Sequence, residues 1–402
     1  MKRICTGLLA LLTVFLLSAE LTAQETPKKS GYTFKNEKRL PASPVKDQYR
    51  SGTCWSYASI SFLESELLRT GKGMYDLSEM FLVHNCYSEK AEKYVRMHGT
   101  NNFGPGGLPA DLIATWKTYG LMPEEAYSGL ITGEDKPVHG EMDEVLKDYV
   151  DGVIKNRNSK LTPVWKEGFD YIVDAYMGYY PDEFTYKGEK YTPKTFAASL
   201  GLNPDDYVLI TSYTHHPFYE PFILEVPDNW RWSEMYNVPL DEMMQVVDNA
   251  LKNGYTVTWD ADESEKSFDW KDGLALMPSE DFADLSASDQ EKWKTLSQRE
   301  RQAMFYDFST PKKEKNITQE IRQEAFDNYT TTDDHLMHII GTAEDQDGQP
   351  FYVVKNSWGT EGHIYNGYFY ASVPYLRCKT LLIMVHKDAV PDSIAKKLKL
   401  KK

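Results

Sequence analysis

The sequence is poor in cysteine, in positive charge and in long apolar runs. Its 402 residues include 45 lysine and arginine against 60 aspartate and glutamate, a formal net charge of −15. This acidic balance argues against a nucleic-acid-binding surface, so we expect no nucleic-acid partner. The one basic cluster is residues 396–402, which we interpret as a solvated tail.

Only the beginning of the chain is apolar enough to concern a membrane. Lys2 and Arg3 precede an apolar run, residues 4–17, and small residues lead up to Ala23. This pattern predicts a signal peptide, residues 1–23, that is cut after Ala23, and hence a periplasmic or extracellular protein. An uncleaved membrane anchor is the alternative, but the run is shorter than the ~20 residues that span a bilayer. We therefore expect no stable membrane span after cleavage.

The scarcity of cysteine limits the disulfide chemistry. Cys5 lies in the predicted signal peptide, which leaves Cys54, Cys86 and Cys378 in the mature chain. An odd number in an exported protein implies at least one free thiol. If Cys54 is that thiol, Cys86 and Cys378 either form a disulfide or are both buried and unpaired. We favour the unpaired state because nothing in the sequence brings the two together.

What is present is a globular composition, with 41% hydrophobic residues, that supports a large core. Residues 24–40 read as a polar extended arm. Helical periodicity comes early in the chain, with one broad apolar helix over Trp55–Arg69 and others starting at Ser78 and Pro109. Strand-like runs come late, at residues 336–341, 351–355, 367–372 and 381–385. The order predicts an α+β fold.

Gln48 and Cys54 lie six positions apart where a loop turns into the first helix. The positive end of that helix and a neighbouring imidazolium would lower the pKa of the Cys54 thiol and make it a nucleophile. The Gln48 amide would stabilise an oxyanion beside it. Taken alone, Cys54 could equally be a buried structural cysteine.

His335 and Asn356 supply the other groups that a cysteine nucleophile needs. His335 opens a strand-like run and would act as base and then as acid. Asn356 would accept the second ring N–H, and Trp358 would cover that hydrogen bond. His338 is the alternative imidazole. We expect no metal, because a strand points His335 and His338 to opposite faces, and we expect no organic cofactor.

A second glycine-rich loop offers a place for substrate. Gly106 and Gly107 would let a peptide backbone approach closely and pair with theirs. A plain turn is the alternative interpretation.

These motifs together resemble the papain superfamily of cysteine peptidases. Gln-x5-Cys-Trp, Leu-Ser-Glu, Gly-Gly, Asp-His and Lys-Asn-Ser-Trp-Gly stand in that family's order, within residues 45–127, about 237–262 and 331–385. Ser-Gly-x-Cys-Trp, with Ser51 in place of a disulfide cysteine, and the long insertions resemble the bleomycin hydrolase and aminopeptidase C branch.

The resemblance implies a two-lobed papain-like domain over residues 41–402, with a helical lobe, a β-barrel-like lobe, and helical insertions at about 131–235 and 264–328. It implies these roles: Cys54 as nucleophile, His335 as base and acid, Asn356 as orienting residue, Gln48 as oxyanion donor, and Gly106, Gly107 and Trp358 as substrate contacts. It also implies a homo-oligomer, since members of the branch form hexamers.

The expected function is that of an exported cysteine peptidase that uses a Cys-His-Asn mechanism on peptide substrates, as an aminopeptidase. An endopeptidase or a dipeptidyl-type exopeptidase with an open cleft, a non-catalytic peptide-binding module, and an acyl-transfer enzyme are the alternatives. An aminopeptidase needs a negative group for the free ammonium. Members of the branch use a carboxylate at the end of a longer arm, whereas lysines surround the end of this sequence, so the group is left open.

Overall fold

The computed structural model describes residues 30–158 and 160–401. The predicted signal peptide, residues 1–23, and residues 24–29 of the predicted arm lie outside the described residues. Within the described ranges, no helix is long and apolar enough to cross a bilayer. The helices of these ranges are α1 (Cys54–Arg69), α2 (Glu79–Arg96), α3 (Pro109–Tyr119), α4 (Gly140–Ile154), α5 (Val164–Met177), α6 (Pro193–Ser199), α7 (Leu240–Lys252), α8 (Ala287–Trp293), α9 (Gln298–Phe305), α10 (Gln319–Asp327), α11 (Val373–Lys379) and α12 (Asp392–Lys397).

A mixed sheet of eleven strands runs through the described residues. The strands are β1 (Phe34–Arg39), β2 (Phe184–Tyr186), β3 (Glu189–Tyr191), β4 (Tyr207–Thr211), β5 (Pro221–Ile223), β6 (Glu234–Asn237), β7 (Val257–Ala261), β8 (Phe268–Asp269), β9 (Leu274–Ala275), β10 (His335–Asp345), β11 (Pro350–Lys355), β12 (Tyr368–Ser372) and β13 (Thr380–His386). Their order in the sheet is β5-β6-β4-β13-β7-β10-β11-β12-β9-β8, with β1 added to β10, while β2 and β3 form a separate hairpin.

Helices α1–α5 form the helical lobe around one apolar core. Helix α1 is buried along almost its whole length, from Trp55 to Leu67, as its wide apolar face predicts. Ser78 caps α2 by accepting a hydrogen bond from the N–H of Phe81, and Gly120 ends α3 with a positive φ of 97°. These local signals explain why the helix boundaries could be predicted.

The central strands carry a second core on their other face, together with α7, α11 and α12, and this part is called the β lobe here. Strand β10 lies in the middle of the sheet and pairs antiparallel with β7, β11 and β1. Its pairing with β1 depends on Gly341, because a Cβ there would lie 2.0 Å from the carbonyl oxygen of Lys38. The predicted arm is therefore a strand over Phe34–Arg39.

The two predicted insertions contain strands as well as helices. Strands β4, β5 and β6 extend the main sheet beyond β13, so the first insertion is only partly helical. In the second insertion, β9 pairs parallel with β12. Cys86 and Cys378 are buried and free, which agrees with the unpaired state favoured above.

Candidate active site

Cys54 is the first residue of α1, at the junction of the two lobes. Cys54 therefore lies at the positive end of the helix dipole of α1. The sulfur also accepts a hydrogen bond from the backbone N–H of Leu336, the residue after His335. Cys54 is partly exposed, unlike Cys86 and Cys378. The sulfur thus lies at the beginning of β10.

Gln48 is held beside Cys54 by the loop that carries the asparagine. Its backbone N–H donates to the carbonyl of Ser357 (2.8 Å), and the hydroxyl of Ser357 donates to its side-chain oxygen (2.6 Å). With that oxygen occupied, the NH2 group is on the opposite side of the amide. Gln48 is therefore oriented as a donor, and Ser357 is a supporting residue that sequence reasoning missed.

The hydrogen bonds around Asn356 determine the tautomer of His335. The side-chain oxygen of Asn356 accepts from the backbone N–H of Ser357 (2.8 Å), which identifies it as the oxygen of the amide. Nε2 of His335 lies 2.7 Å from the same oxygen, so Nε2 carries the proton. Nδ1 of the neutral ring is then left as a base, which is the arrangement that a proton transfer from a thiol needs.

Trp358 covers the imidazole of His335. The two rings stack with centroids 4.7 Å apart and 28° between their planes. Trp270 packs edge-on against Trp358 at 5.0 Å, so the indole is itself fixed. The indole of Trp358 thus lies over the imidazole of His335, and its role in excluding water from the His335–Asn356 hydrogen bond stays a prediction.

His338, the alternative imidazole, lies away from Cys54. Its Nδ1 is 2.8 Å from the hydroxyl of Ser61, two turns further along α1. Its ring packs edge-on against Phe62 at 6.1 Å. The structure therefore brings His335, and not His338, to the start of α1.

Burial opposes a charge on either reacting group. It raises the pKa of the Cys54 thiol to about 12; the N–H of Leu336 acts in the opposite direction, and nearby aspartates add to the rise. Burial lowers the pKa of His335 to about 4, against the hydrogen bond to Asn356. This rise acts against the lowering of the thiol pKa that the sequence predicts from the helix start together with a neighbouring imidazolium. Burial thus disfavours the charged form of each group when it ionises by itself.

The two glycines lie against α1 and are tightly packed. A Cβ on Gly107 would lie 2.8 Å from the Asp111 carboxylate and 3.2 Å from the indole of Trp55. The carbonyl of Gly106 accepts a hydrogen bond from Lys90, so it is not free for a substrate. Backbone pairing with a peptide stays a prediction, and it falls on Gly107 and on the N–H of Gly106.

A hairpin loop that the sequence did not reveal lies over Gly106. Strands β5 and β6 pair antiparallel, and residues 224–233 connect them; we call this segment the cleft loop. The carboxylate of Asp228 lies so close to Gly106 that a Cβ there would be 2.0 Å from it. The backbone N–H of Asp228 donates to the carboxylate of Asp333, two residues before His335. The cleft loop thus reaches from the glycines to the β lobe.

The cleft loop is firmly attached to the helical lobe. Arg231 donates to Asp111 at 2.9 Å and also pairs with Glu89. The indole N–H of Trp230 donates to the other oxygen of Asp111 at 3.2 Å. Within the loop, Asn229 bonds the carbonyls of Leu224 and Ser233, both at 3.0 Å. These contacts give the loop one defined position.

Three carboxyl groups lie near the thiol of Cys54. Asp228, Asp260 and Asp333 all raise the pKa of the thiol, so they lie near enough to act on it. Asp260 lies on β7 opposite Leu336 and is fully buried. The sequence signal for this group was slight: Asp333 precedes the Asp-His motif, and Asp260 lies at the end of an apolar run.

One set of side chains in the described residues has the composition of a metal site. His215, His216 and Glu225 bring their nitrogen and oxygen atoms within 4.8 Å of one another. A carboxylate oxygen of Glu225 lies within hydrogen-bonding distance of Nε2 of each imidazole, at 3.1 and 2.8 Å. These contacts attach the beginning of the cleft loop to the residues that follow β4.

The fold and this site are those of a papain-like cysteine peptidase, and comparisons with known proteins agree. The model of the peptidase C1-like family matches residues 174–402, and that of the papain family of cysteine proteases matches residues 32–166. Aminopeptidase G of Lactobacillus delbrueckii subsp. lactis is 23% identical over 87% of this chain and 82% of its own. The crystal structure of PepW from Lactobacillus rhamnosis HN001 shares the fold, with a TM-score of 0.66, 20% identity, and coverage of 91% of this chain and 84% of that one.

Since the first of these models covers more than half of the sequence, the chain belongs to the peptidase C1-like family. It is a cysteine-type peptidase with an α+β, papain-like fold. This confirms the resemblance drawn from the motifs.

Proposed function

We propose that this protein is an exported cysteine aminopeptidase that acts through Cys54, His335, Asn356 and Gln48. In the first step the thiol proton moves to Nδ1 of His335 as the sulfur attacks the peptide carbonyl. The N–H of Cys54 and the NH2 group of Gln48 donate to the oxyanion that forms. His335 then returns its proton to the leaving amine, and water hydrolyses the acyl-enzyme.

The observation that carries the proposal is the cleft loop over Gly106. A peptide that extended past Gly106 towards its amino end would collide with Asp228, which already lies in contact with that glycine. The anchoring of Arg231 to Asp111 opposes displacement of the loop. A cleft closed on this side accepts the amino end of a peptide and excludes a chain that passes through. The similarity to Aminopeptidase G supports the same function.

A dipeptidyl-type exopeptidase is the second candidate, and one cavity favours it. Beside the cleft loop lies a cavity of about 440 Å³ lined by residues that include Glu225, Pro227, Thr331 and Asp333. If a second substrate residue turned into this cavity, the enzyme would release dipeptides. The length of the released product distinguishes the two candidates.

The test uses one peptide amide with a free and with an acetylated amino terminus. We expect hydrolysis of the free form, with single amino acids released in sequence, and at least about tenfold slower hydrolysis of the acetylated form. Cys54→Ala should abolish turnover while peptide binding persists, and Cys378→Ala, which removes a buried thiol, should retain it. Equal rates on both peptides contradict an aminopeptidase, and turnover by Cys54→Ala contradicts the nucleophile.

Export rests on the sequence of residues 1–23, and its test is separate. The mature protein, isolated from the producing cell, should begin at Gln24 and lie outside the cytoplasmic membrane. A mature chain that still begins at Met1 would contradict this part of the proposal without touching the catalytic part.

A further inference from the structure

We propose that Asp228, on the cleft loop, binds the free α-ammonium group of the substrate, with Asp260 and Asp333 as the acidic surroundings of that group. The inference rests on the proposed aminopeptidase function, and it names the side chain that recognises the free amino group of the substrate. The carboxylate that binds this group would belong to an internal hairpin loop.

The position of Asp228 fits this role. Its carboxylate lies directly on Gly106, and Gly107 in turn packs against Trp55, the residue after the nucleophile. A substrate whose first peptide carbonyl lies at Cys54 has its amino nitrogen one residue away from the sulfur, towards Gly106. The backbone N–H of Asp228 is bonded to Asp333, so the carboxylate is held between the two lobes.

The carboxylate of Asp228 has few donors in the described residues, and an ammonium group would supply both donors and a positive charge. Lys90 is the nearby cation, but it donates to the carbonyls of Gly104 and Gly106. Asp228 itself receives one side-chain hydrogen bond, from Asn102 at 3.2 Å. An ammonium group brings one positive charge and three N–H donors. The site thus has unused acceptors where the ligand would supply donors.

Asp260 is a second, independent observation that indicates a ligand with hydrogen-bond donors at this site. It is fully buried, and no donor in the described residues reaches either of its oxygens. The one hydrogen bond open to it uses its own proton, towards Asp333. Burying an acidic group without a donor costs free energy, so its retention beside the nucleophile indicates a ligand that compensates for it. One oxygen of Asp333 is likewise without a partner.

The alternative ligand for this group is a basic side chain. In that case a substrate lysine or arginine side chain would occupy the space at Asp228. The enzyme would then favour peptides with a basic residue directly before the residue whose carbonyl is attacked, whether or not their amino terminus is free. The closed cleft at Gly106 favours the ammonium. The experiment includes both ligands as arms.

The test compares wild type, Asp228→Asn, and the control Asp182→Asn, which changes an exposed carboxylate. Each is assayed on a free-amine peptide amide, its N-acetyl form, and an acetylated peptide with a lysine before the cleaved residue. For Asp228→Asn we expect KM for the free-amine peptide to rise at least about tenfold with a smaller change in kcat, and the rate on the acetylated peptide to stay the same or rise. Asp182→Asn should match wild type.

The outcomes separate the inference from the function on which it rests. Loss of the free-amine preference in Asp228→Asn supports the inference. Retention of the preference, or an equal loss on all three substrates, overturns it while the aminopeptidase stands. A selective loss on the lysine peptide overturns it in favour of a basic side chain. If wild type itself shows no preference, the proposed function fails. One iodoacetamide-reactive thiol per chain shows in each variant that the protein is folded.

Discussion

At the residue scale, ionisation of Cys54 or of His335 alone costs free energy, because burial removes the water that would solvate either charge. The same burial strengthens their mutual attraction once the proton has moved from sulfur to nitrogen. Asn356 then stabilises the imidazolium, and the N–H of Leu336 stabilises the thiolate. We therefore expect the two groups to titrate as a pair.

This coupling makes a prediction for the pH dependence of alkylation. In His335→Ala, Cys54 titrates alone with its pKa raised by burial, so the thiolate fraction should be small at pH 7 and should increase up to about pH 12. Iodoacetamide should react with this variant at least about a hundredfold more slowly than with wild type at pH 7. The rate is measured by mass spectrometry of Cys54 from pH 5 to pH 10. Equal rates at pH 7 would show that the imidazole does not assist the thiol.

The two imidazoles of β10 should differ in what their removal changes. His335→Ala removes the base and should lower kcat by at least about a thousandfold, with little effect on stability. His338→Ala removes a buried contact with Ser61 and should lower the free energy of unfolding by about 1–3 kcal/mol, with kcat within about tenfold of wild type. Steady-state kinetics and denaturant unfolding measure both. If His338→Ala, but not His335→Ala, loses kcat, then His338 is the base and His335 is the structural residue.

The reacting residues could be predicted because short motifs carry them, whereas the acidic group could not. Cys54, His335 and Asn356 each lie in a pattern whose chemistry is local. Asp260 lies within β7, whose other residues are apolar or β-branched, so an acid there departs from the pattern by which such a strand is recognised. Its role depends on Asp228, which comes from a distant hairpin.

At the element scale, the cleft loop is a hairpin connection held by contacts at both ends. The first part of the loop is held by Asn229, which bonds the carbonyl of Leu224, and by the contacts of Glu225 with His215 and His216. Its side towards the helical lobe is fixed by Arg231, which bonds an almost fully buried Asp111. A loop held in this way acts as a wall of the cleft.

Releasing this wall should widen the specificity. Arg231→Ala leaves Asp111 and Glu89 without their cation, which for a buried pair costs about 3–5 kcal/mol. We expect the loop to detach from α3 and the variant to hydrolyse N-acetylated peptides at least about tenfold faster than wild type. The ratio of kcat/KM for acetylated and free peptides measures the change.

The matched control for this loop is Arg96→Ala. Arg96 is exposed and pairs with Glu92 on the surface of α2, so its removal should cost about 0–1 kcal/mol and leave the ratio unchanged. If Arg231→Ala becomes less stable but keeps its preference for free amino ends, the loop is not what excludes longer peptides.

The strands of the first insertion show why the cleft loop was missed. The apolar and β-branched residues of the stretch 207–213 predict a strand there, and β4 covers Tyr207–Thr211. Its partner β13 lies about 170 residues further on, and β5 and β6 are only three and four residues long. Such pairings are decided by tertiary contacts, so neither the hairpin nor the place of its loop could be read from local patterns.

At the scale of the whole molecule, the two lobes share one sheet. The face of β13 that carries Leu382 belongs to the core of the helical lobe, while Ile383 on the other face belongs to the core of the β lobe. Leu336 on β10 joins the same helical core, next to the sulfur of Cys54. The distance between nucleophile and base is therefore set by the packing that joins the lobes.

This arrangement predicts that the lobes unfold together. Leu382 is fully buried, so Leu382→Ala should lower the free energy of unfolding by about 2–5 kcal/mol, whereas Leu161→Ala, which truncates an exposed side chain, should change it by less than about 0.5 kcal/mol. Tryptophan fluorescence and loss of hydrolysis in denaturant should shift to the same lower midpoint for Leu382→Ala. Two separated transitions would mean that each lobe is stable alone. In that case the two lobes could separate while each stays folded. The active site between them would then depend on a weaker contact than the shared sheet.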